Sequence, residues 1–112
     1  MKFEIFKSDK NDKFYFNLKA KNGQVILSSQ GYANKSGAKN GIESVRKNSQ
    51  NDDHFERKEA SNGKLHFNLL AANKQIIGSS QMYASKSGME NGIESVKTNA
   101  PEAEVADLTA AE

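Results

Sequence analysis

Three groups of residues carry side chains that could do chemistry. Ser28-Ser29-Gln30 and Ser79-Ser80-Gln81 place paired hydroxyls beside an amide. A serine becomes a nucleophile only when a base lies within hydrogen-bond reach and an acid orients that base. No such set accompanies both serine pairs, and neither sits in a G-x-S-x-G elbow. Their simpler role is to end strands, with hydroxyls and amide satisfying backbone groups. The two histidines, His54 and His66, could ligate a metal with help from Asp52 or Asp53, but the spacing has no diagnostic ligand pattern. Partly buried or surface histidines are the simpler reading. Glu43 and Glu94 lie among basic neighbours on predicted helices and read as solvated. The chain has no cysteine, so disulfides, thiol catalysis and a thiolate zinc site are excluded. No catalytic residue, metal site or cofactor is expected.

Positioning these residues is the work of a duplication. Gln30 and Gln81 stand 51 residues apart, and at that offset 23 of the 36 pairs from Lys13 to Asn48 are identical. Phe16-Asn17-Leu18 recurs as Phe67-Asn68-Leu69, and Asn40-Gly41-Ile42-Glu43-Ser44-Val45 as Asn91-Gly92-Ile93-Glu94-Ser95-Val96. Two copies are too few for a solenoid, so a pseudo-symmetric pair sharing one core is expected. The division predicted is one domain, residues 1–112, with repeat one near 1–51, repeat two near 52–109, and a frayed tail at 110–112.

Within each copy the hydrophobic period is first that of a strand and then that of a helix. Phe14, Phe16, Leu18 and Ala20 alternate with Tyr15, Asn17 and Lys19; Leu65, Phe67, Leu69 and Ala71 alternate with His66, Asn68 and Leu70. Further strands are predicted over 2–7, 24–30, 54–59 and 75–81, with a short last one over 104–109. Asn22-Gly23 supplies a tight turn. At its counterpart, Asn73-Lys74, the asparagine is the residue expected to turn left-handed. Helices follow each third strand, with Asn34 or Ser85 as N-cap. Ala38, Ile42 and Val45, and likewise Met89, Ile93 and Val96, make a narrow apolar stripe. Lys39, Glu43, Arg46 and Lys47 should point outward. Each helix keeps two interior glycines, which cost about 1 kcal/mol apiece against alanine. Close packing against the helix backbone is expected to offset them.

The fold class predicted is α+β: tandem β-β-β-α-β repeats form a single, mainly antiparallel sheet with two helices packed on one face. Two such helices cover one face only, so Tyr15, Asn17, Lys19, His66 and Asn68, with Leu70 and Phe6, point to the other. This polar and aromatic face is the expected binding surface for a protein or ligand. Sheet-based RNA binders stack bases on such faces, so weak single-stranded nucleic-acid binding is the alternative. A second alternative is a small-ligand or enzyme site at the seam between the copies, built from Gln30, Gln81, Tyr32 and Tyr83.

Composition sets the remaining bounds. Hydrophobic residues make up 36% of the chain and charged residues 27%, the balance of a soluble domain with a modest core. Residues 1–99 hold all 16 Lys and Arg with 10 acids, while residues 100–112 hold 4 acids and no base. A basic body with an acidic tail attracts polyanions only weakly. No stretch approaches the ~20 apolar residues of a membrane span, and the N-terminus does not read as a signal peptide. A monomer in the cytoplasm is the expectation.

The repeated unit resembles the YegP-like family of small uncharacterised proteins. The likeness lies in Phe16-Asn17-Leu18-Lys19-Ala20 with Asn22-Gly23, in the Asn40 to Val45 helix with Asn48, and in their counterparts. The ending Ala100-Pro101-Glu102-Ala103-Glu104-Val105 with Asp107-Leu108-Thr109 is also similar. The resemblance covers nearly the whole chain. It implies a β-β-β-α-β unit carried in tandem or as a dimer, with the last strands exchanged between units. It further implies that the segment around Asp53 to Glu59 serves as the first copy's fourth strand while opening the second copy. It implies no activity and no site residues.

Overall fold

The computed structural model describes residues 1–109; the tail predicted at 110–112 lies outside the described residues. Alternating apolar residues form strands β1 (Lys2–Lys7), β2 (Phe14–Lys19) and β3 (Val25–Ser29), followed by helix α1 (Lys35–Asn48). A 3₁₀ turn over Asp52–His54 leads into the second copy: β4 (Phe55–Glu59), β5 (Leu65–Leu70), β6 (Ile76–Ser80) and α2 (Lys86–Asn99). A second 3₁₀ turn, Ala100–Glu102, leads to β7 (Glu104–Asp107).

The seven strands make one sheet in the order β4-β5-β6-β3-β2-β1-β7. All neighbours are antiparallel except β1 and β7. The copies join through β3 and β6, where Ser28 faces its own counterpart Ser79. The pseudo-twofold axis therefore passes between these serines. Both helices cover one face. Beneath them lie Phe3, Ile5, Phe16, Leu18 and Leu27 from the first copy and Phe55, Phe67 and Leu69 from the second, all buried. Removing each such side chain from water contributes about 1.5–3 kcal/mol before entropy is counted. Edge-to-face contacts between Phe3 and Phe16 (5.8 Å) and between Phe55 and Phe67 (5.7 Å) repeat the same packing in each copy.

Helix ends follow the expected caps. Asn34 Oδ1 accepts from the Gly37 N–H at 2.8 Å, and Ser85 Oγ from the Gly88 N–H at 3.1 Å. The interior glycines have an identifiable cause. A Cβ on Gly41 would lie 2.3 Å from the Tyr32 hydroxyl and 2.8 Å from the Phe16 ring. On Gly92 it would lie 2.3 Å from the Tyr83 hydroxyl. Each tyrosine stacks on the phenylalanine of its own copy, at 6.2 Å for Tyr32 on Phe16 and 6.3 Å for Tyr83 on Phe67. Ring and helix backbone thus meet with no room for a methyl group.

Three local expectations are corrected. In the second hairpin Lys74, not Asn73, takes positive φ (70°), matching Gly23 (85°) in the first. The second position of this turn demands the left-handed region, whichever residue stands there. Arg46 does not point outward. Its guanidinium lies 5.7 Å from the Phe3 ring centroid and donates to the Ala103 carbonyl at 2.7 Å, tying α1 to the segment that enters β7. The segment at Phe55–Glu59 opens the second copy as the antiparallel partner of β5 but does not pair with the first copy as its fourth strand.

Candidate functional site

The face away from the helices is organised by register. Glu4 pairs with Asn17, Asn17 with Ser28, Ser28 with Ser79, Ser79 with Asn68 and Asn68 with Glu56. Side chains directly opposite on neighbouring strands share a face. A polar row, Glu-Asn-Ser-Ser-Asn-Glu, therefore runs across six strands and reads the same from either end.

The row divides the open face into unlike flanks. Lys2 and Lys19 face each other on one side of it, as do His66 and Lys58. On the other side stand Phe6 opposite Tyr15, and Leu70 opposite Ile76. The first flank is basic and the second aromatic and apolar. Phe6 and Tyr15 stack at 5.8 Å with nearly parallel rings, and the Tyr15 hydroxyl accepts from Asn11 Nδ2 at 2.9 Å. Ile76 is 40% exposed, one of the few large apolar side chains so open to water.

The two halves of the row differ in saturation. In the second copy Ser79 Oγ donates to Asn68 Oδ1 at 2.7 Å, and Asn68 Nδ2 donates to Glu56 Oε1 at 3.0 Å. That half is closed on itself, with Asn68 buried. In the first copy Glu4 is drawn instead to Lys19 (2.9 Å) and Lys2 (3.3 Å). The bond from Lys19, reinforced by Lys2, holds the Glu4 carboxyl below the usual carboxylate range. Among the described residues, the side chains of half-buried Asn17 and exposed Ser28 have no protein hydrogen-bond partner.

All five residues expected on the binding face, Tyr15, Asn17, Lys19, His66 and Asn68, lie on one surface. Tyr15 and His66 nevertheless stand on opposite flanks, because β2 and β5 run in opposite directions across the axis. Glu4, Glu56, Ser28 and Ser79 were missed as members of this surface. Their signal was present in the alternation of each strand, but the row appears only once the strand order is known.

The four seam residues are not brought together. Gln30 and Gln81 leave opposite ends of the antiparallel β3–β6 pair. Tyr32 lies under α1 and Tyr83 under α2. At the seam Leu27 is fully buried against Gly78, where a Cβ would lie 2.9 Å from Leu27 Cγ. An open depression of about 460 Å³ beside α1 includes Gln30 and Tyr32 but neither Gln81 nor Tyr83. Burial raises the Tyr32 hydroxyl pKa above its ordinary value, so the phenolate that could act as a base is harder to form.

The other candidates resolve structurally. Ser29 Oγ accepts from the Phe16 N–H at 2.8 Å and donates to the Gln30 carbonyl; Ser80 does the same for Phe67 and Gln81. His54 Nδ1 lies 2.7 Å from Asn48 Oδ1, which anchors the end of α1 to the entry of β4. Among the described residues no three His, Asp or Glu side chains converge as a metal site. No helix is long and apolar enough to cross a membrane among them.

These features define a class: a tandem-repeat α+β protein with a seven-stranded mixed sheet, two helices on one face and a patterned face left open. The chain belongs to the family described as a domain of unknown function (DUF1508), whose model matches twice, over residues 9–56 and 60–107. The matches are offset by the same 51 residues as the internal duplication. The chain is 54% identical over 107 residues to the UPF0339 protein YegP of Escherichia coli strain K12, covering 96% of each chain. It is 53% identical over 106 residues to a UPF0339 protein of Pseudomonas aeruginosa, covering 95% of this chain and 96% of the other. The solution NMR structure of a Shewanella oneidensis UPF0339 protein superposes with a TM-score of 0.89 at 51% identity, covering 96% of this chain and 90% of that one. That of Escherichia coli yegP, described as a protein of unknown function, gives 0.89 at 52% identity over 96% and 91%. The resemblance read from the sequence holds, and the descriptions of these relatives indicate no specific function.

Proposed function

We propose that this chain is a non-enzymatic binding module that acts through its open sheet face, with repeat one providing the contact half. The observation that carries this reading is the unequal saturation of the polar row. Asn17 and Ser28 offer donors and acceptors to an incoming group, while their counterparts are engaged with one another. The stacked Phe6 and Tyr15 on one flank and Lys19 on the other would hold the apolar and anionic parts of the same partner.

A protein segment or similar amphipathic ligand fits this pattern better than a nucleic acid. Glu4 and Glu56 lie within the row and repel phosphate. Lys2 and Lys19 share the carboxylate of Glu4, which leaves the three groups only one net positive charge. Phosphate contacts would have to dominate affinity, and this face has few to give. The chain would act in the cytoplasm, since its cysteine-free sequence suits a reducing compartment, and as a monomer. The β3–β6 pairing already joins two copies internally. Residues 1–51 and 52–109 would then form one cooperative domain.

The test is retention of partners from cell extract by the immobilised chain and by a Tyr15→Ala, Asn17→Ala variant of unchanged circular dichroism. A Tyr15→Ala, His66→Ala variant samples both flanks. Partners that bind all three chains equally would count against this face. A salt titration with single-stranded RNA should show no binding at moderate salt; tight binding that strengthens as salt falls would favour the nucleic-acid alternative instead.

A further inference from the structure

The two edges of the sheet are not equivalent, although the copies that build them are. On one edge β7 runs parallel to β1, from Lys2 opposite Glu104 to Ile5 opposite Asp107. On the other, β4 pairs with β5 alone, and its outer edge has no strand among the described residues. Register equates the two edge strands. Phe3 and Phe55 face Leu18 and Leu69, and Ile5 and Arg57 face Phe16 and Phe67. The place beside β4 that corresponds to β7 is vacant because the chain leaving α1 turns directly into β4.

The environment of β7 shows what such a place accepts. Val105 lies opposite Phe3, and Asp107, two positions on, lies opposite Ile5. The Asp107 carboxylate meets Lys35, the first residue of α1, at 3.0 Å. Lys86 is the same residue of α2. It lines a hollow of about 320 Å³ along β4 together with Arg57, Leu65 and Met89. Among the described residues it has no ion-pair partner, and it is exposed where Lys35 is half-buried. The nearby Glu90 is occupied by Arg57, which donates to it at 2.9 Å and to Asp52 at 3.1 Å.

We propose that the β4 edge binds an extended acidic segment of a partner protein as an eighth strand, parallel to β4. A small apolar residue would lie opposite Phe55. An Asp or Glu two positions later would meet Lys86. Strand addition gives affinity through main-chain hydrogen bonds and specificity through alternate side chains. The exchange of Ile5 for Arg57 fits both sides of this account. An inward charge on an edge strand discourages promiscuous apolar pairing, and because Arg57 engages Glu90, Lys86 is left to select a segment carrying the opposite charge.

The probe is a synthetic peptide with the sequence of residues 100–109, titrated into the isotopically labelled full chain and followed by amide chemical shifts. Saturable shifts are expected across Phe55–Glu59 and at Lys86. Lys86→Glu should weaken binding at least tenfold. Replacing the peptide's aspartate with lysine should do the same against the unaltered protein, whose fold is not in question. Combining the two changes should restore part of the affinity. Absence of shifts at millimolar peptide would overturn the proposal. So would shifts confined to β1, which would mean exchange with the chain's own β7. Concentration-dependent self-association that occupies β4 before peptide is added would overturn it too, by placing a second copy there.

Discussion

Replacing Gly41 with alanine sets two forces of known sign against each other. An interior glycine costs a helix about 1 kcal/mol relative to alanine, so propensity alone predicts that Gly41→Ala stabilises α1. The new methyl group would stand 2.3 Å from the Tyr32 hydroxyl and 2.8 Å from both Tyr32 Cζ and Phe16 Cε2. Neither ring can swing aside cheaply, because they are stacked and Phe16 is fully buried. Overpacking of this kind costs about 1–3 kcal/mol, and more where no rearrangement relieves it. With contacts this short the upper part of that range, about 2–3 kcal/mol, applies, and after the propensity gain the net expectation is a loss of about 1–2 kcal/mol. In urea that lowers the unfolding midpoint by roughly 0.5–1 M at an unchanged slope. Tyr32→Phe removes the nearest atom, so the double variant should recover part of the loss. The coupling between the two sites should exceed about 0.5 kcal/mol. Gly92→Ala should cost less, since its third neighbour, Phe67, lies at 3.3 Å where Phe16 lies at 2.8 Å from Gly41. An increase in stability for Gly41→Ala, or strict additivity with Tyr32→Phe, would refute the argument that ring contact keeps these glycines.

Lys74→Gly should stabilise the chain by about 0.5–1 kcal/mol in denaturant titrations, because it relieves a left-handed residue bearing a side chain. Asp107 is held down to about 2 by its bond from the Thr109 hydroxyl and by Lys35. A depressed carboxyl contributes stability above its unfolded pKa and loses it as pH falls toward the folded value, so Asp107→Asn should flatten the acid limb between pH about 4 and about 2. A carboxyl titration of Asp107 by NMR with its midpoint near 4 would contradict this. A fragment of residues 1–51 expressed alone should show no cooperative unfolding, since it lacks β7 over Phe3 and β6 beside β3; a stably folded monomeric half would contradict the shared architecture.

Much of the fold was legible because local signals agreed with one another. Strict alternation in Phe14–Lys19 and Leu65–Leu70, caps at Asn34 and Ser85, and turn residues between runs each have a local physical cause. The duplication then tested every reading twice. What escaped was set by long-range geometry. Arg46 reads as a solvent-facing helix residue until the segment entering β7 offers it the Ala103 carbonyl. Lys74 was overlooked because asparagine is the usual left-handed residue, whereas the turn's geometry fixes the position and not the type. The open face was expected as a set of residues, yet its division into flanks depends on which strands are antiparallel neighbours. No local pattern encodes that order.

The single length change between the copies shows which geometry the duplication must preserve. Six residues separate β1 from β2, and five separate β4 from β5. A one-residue slip in a strand would turn every side chain to the other face. Absorbed in the hairpin loop, it leaves Glu56 opposite Asn68 just as Glu4 is opposite Asn17. It also leaves Phe55 and Arg57 in the places of Phe3 and Ile5. Register, and with it the polar row, is therefore conserved between the halves while the chemistry at particular positions drifts. Ile5 has become Arg57, and Leu27 has become Gly78. The first exchange lies at the edge and fits a strand that lost its parallel neighbour. The second lies at the seam, where two leucines facing each other across the axis would overfill the space that Leu27 alone occupies over Gly78. Departures from symmetry at these two places follow from the fold itself. The unequal hydrogen bonding of the polar row has a different cause, since Asn17 and Ser28 keep the residue types of Asn68 and Ser79. Lys19 stands where the second copy has Leu70, and by drawing Glu4 to itself it leaves the side chains of Asn17 and Ser28 without the bonds that close the second half.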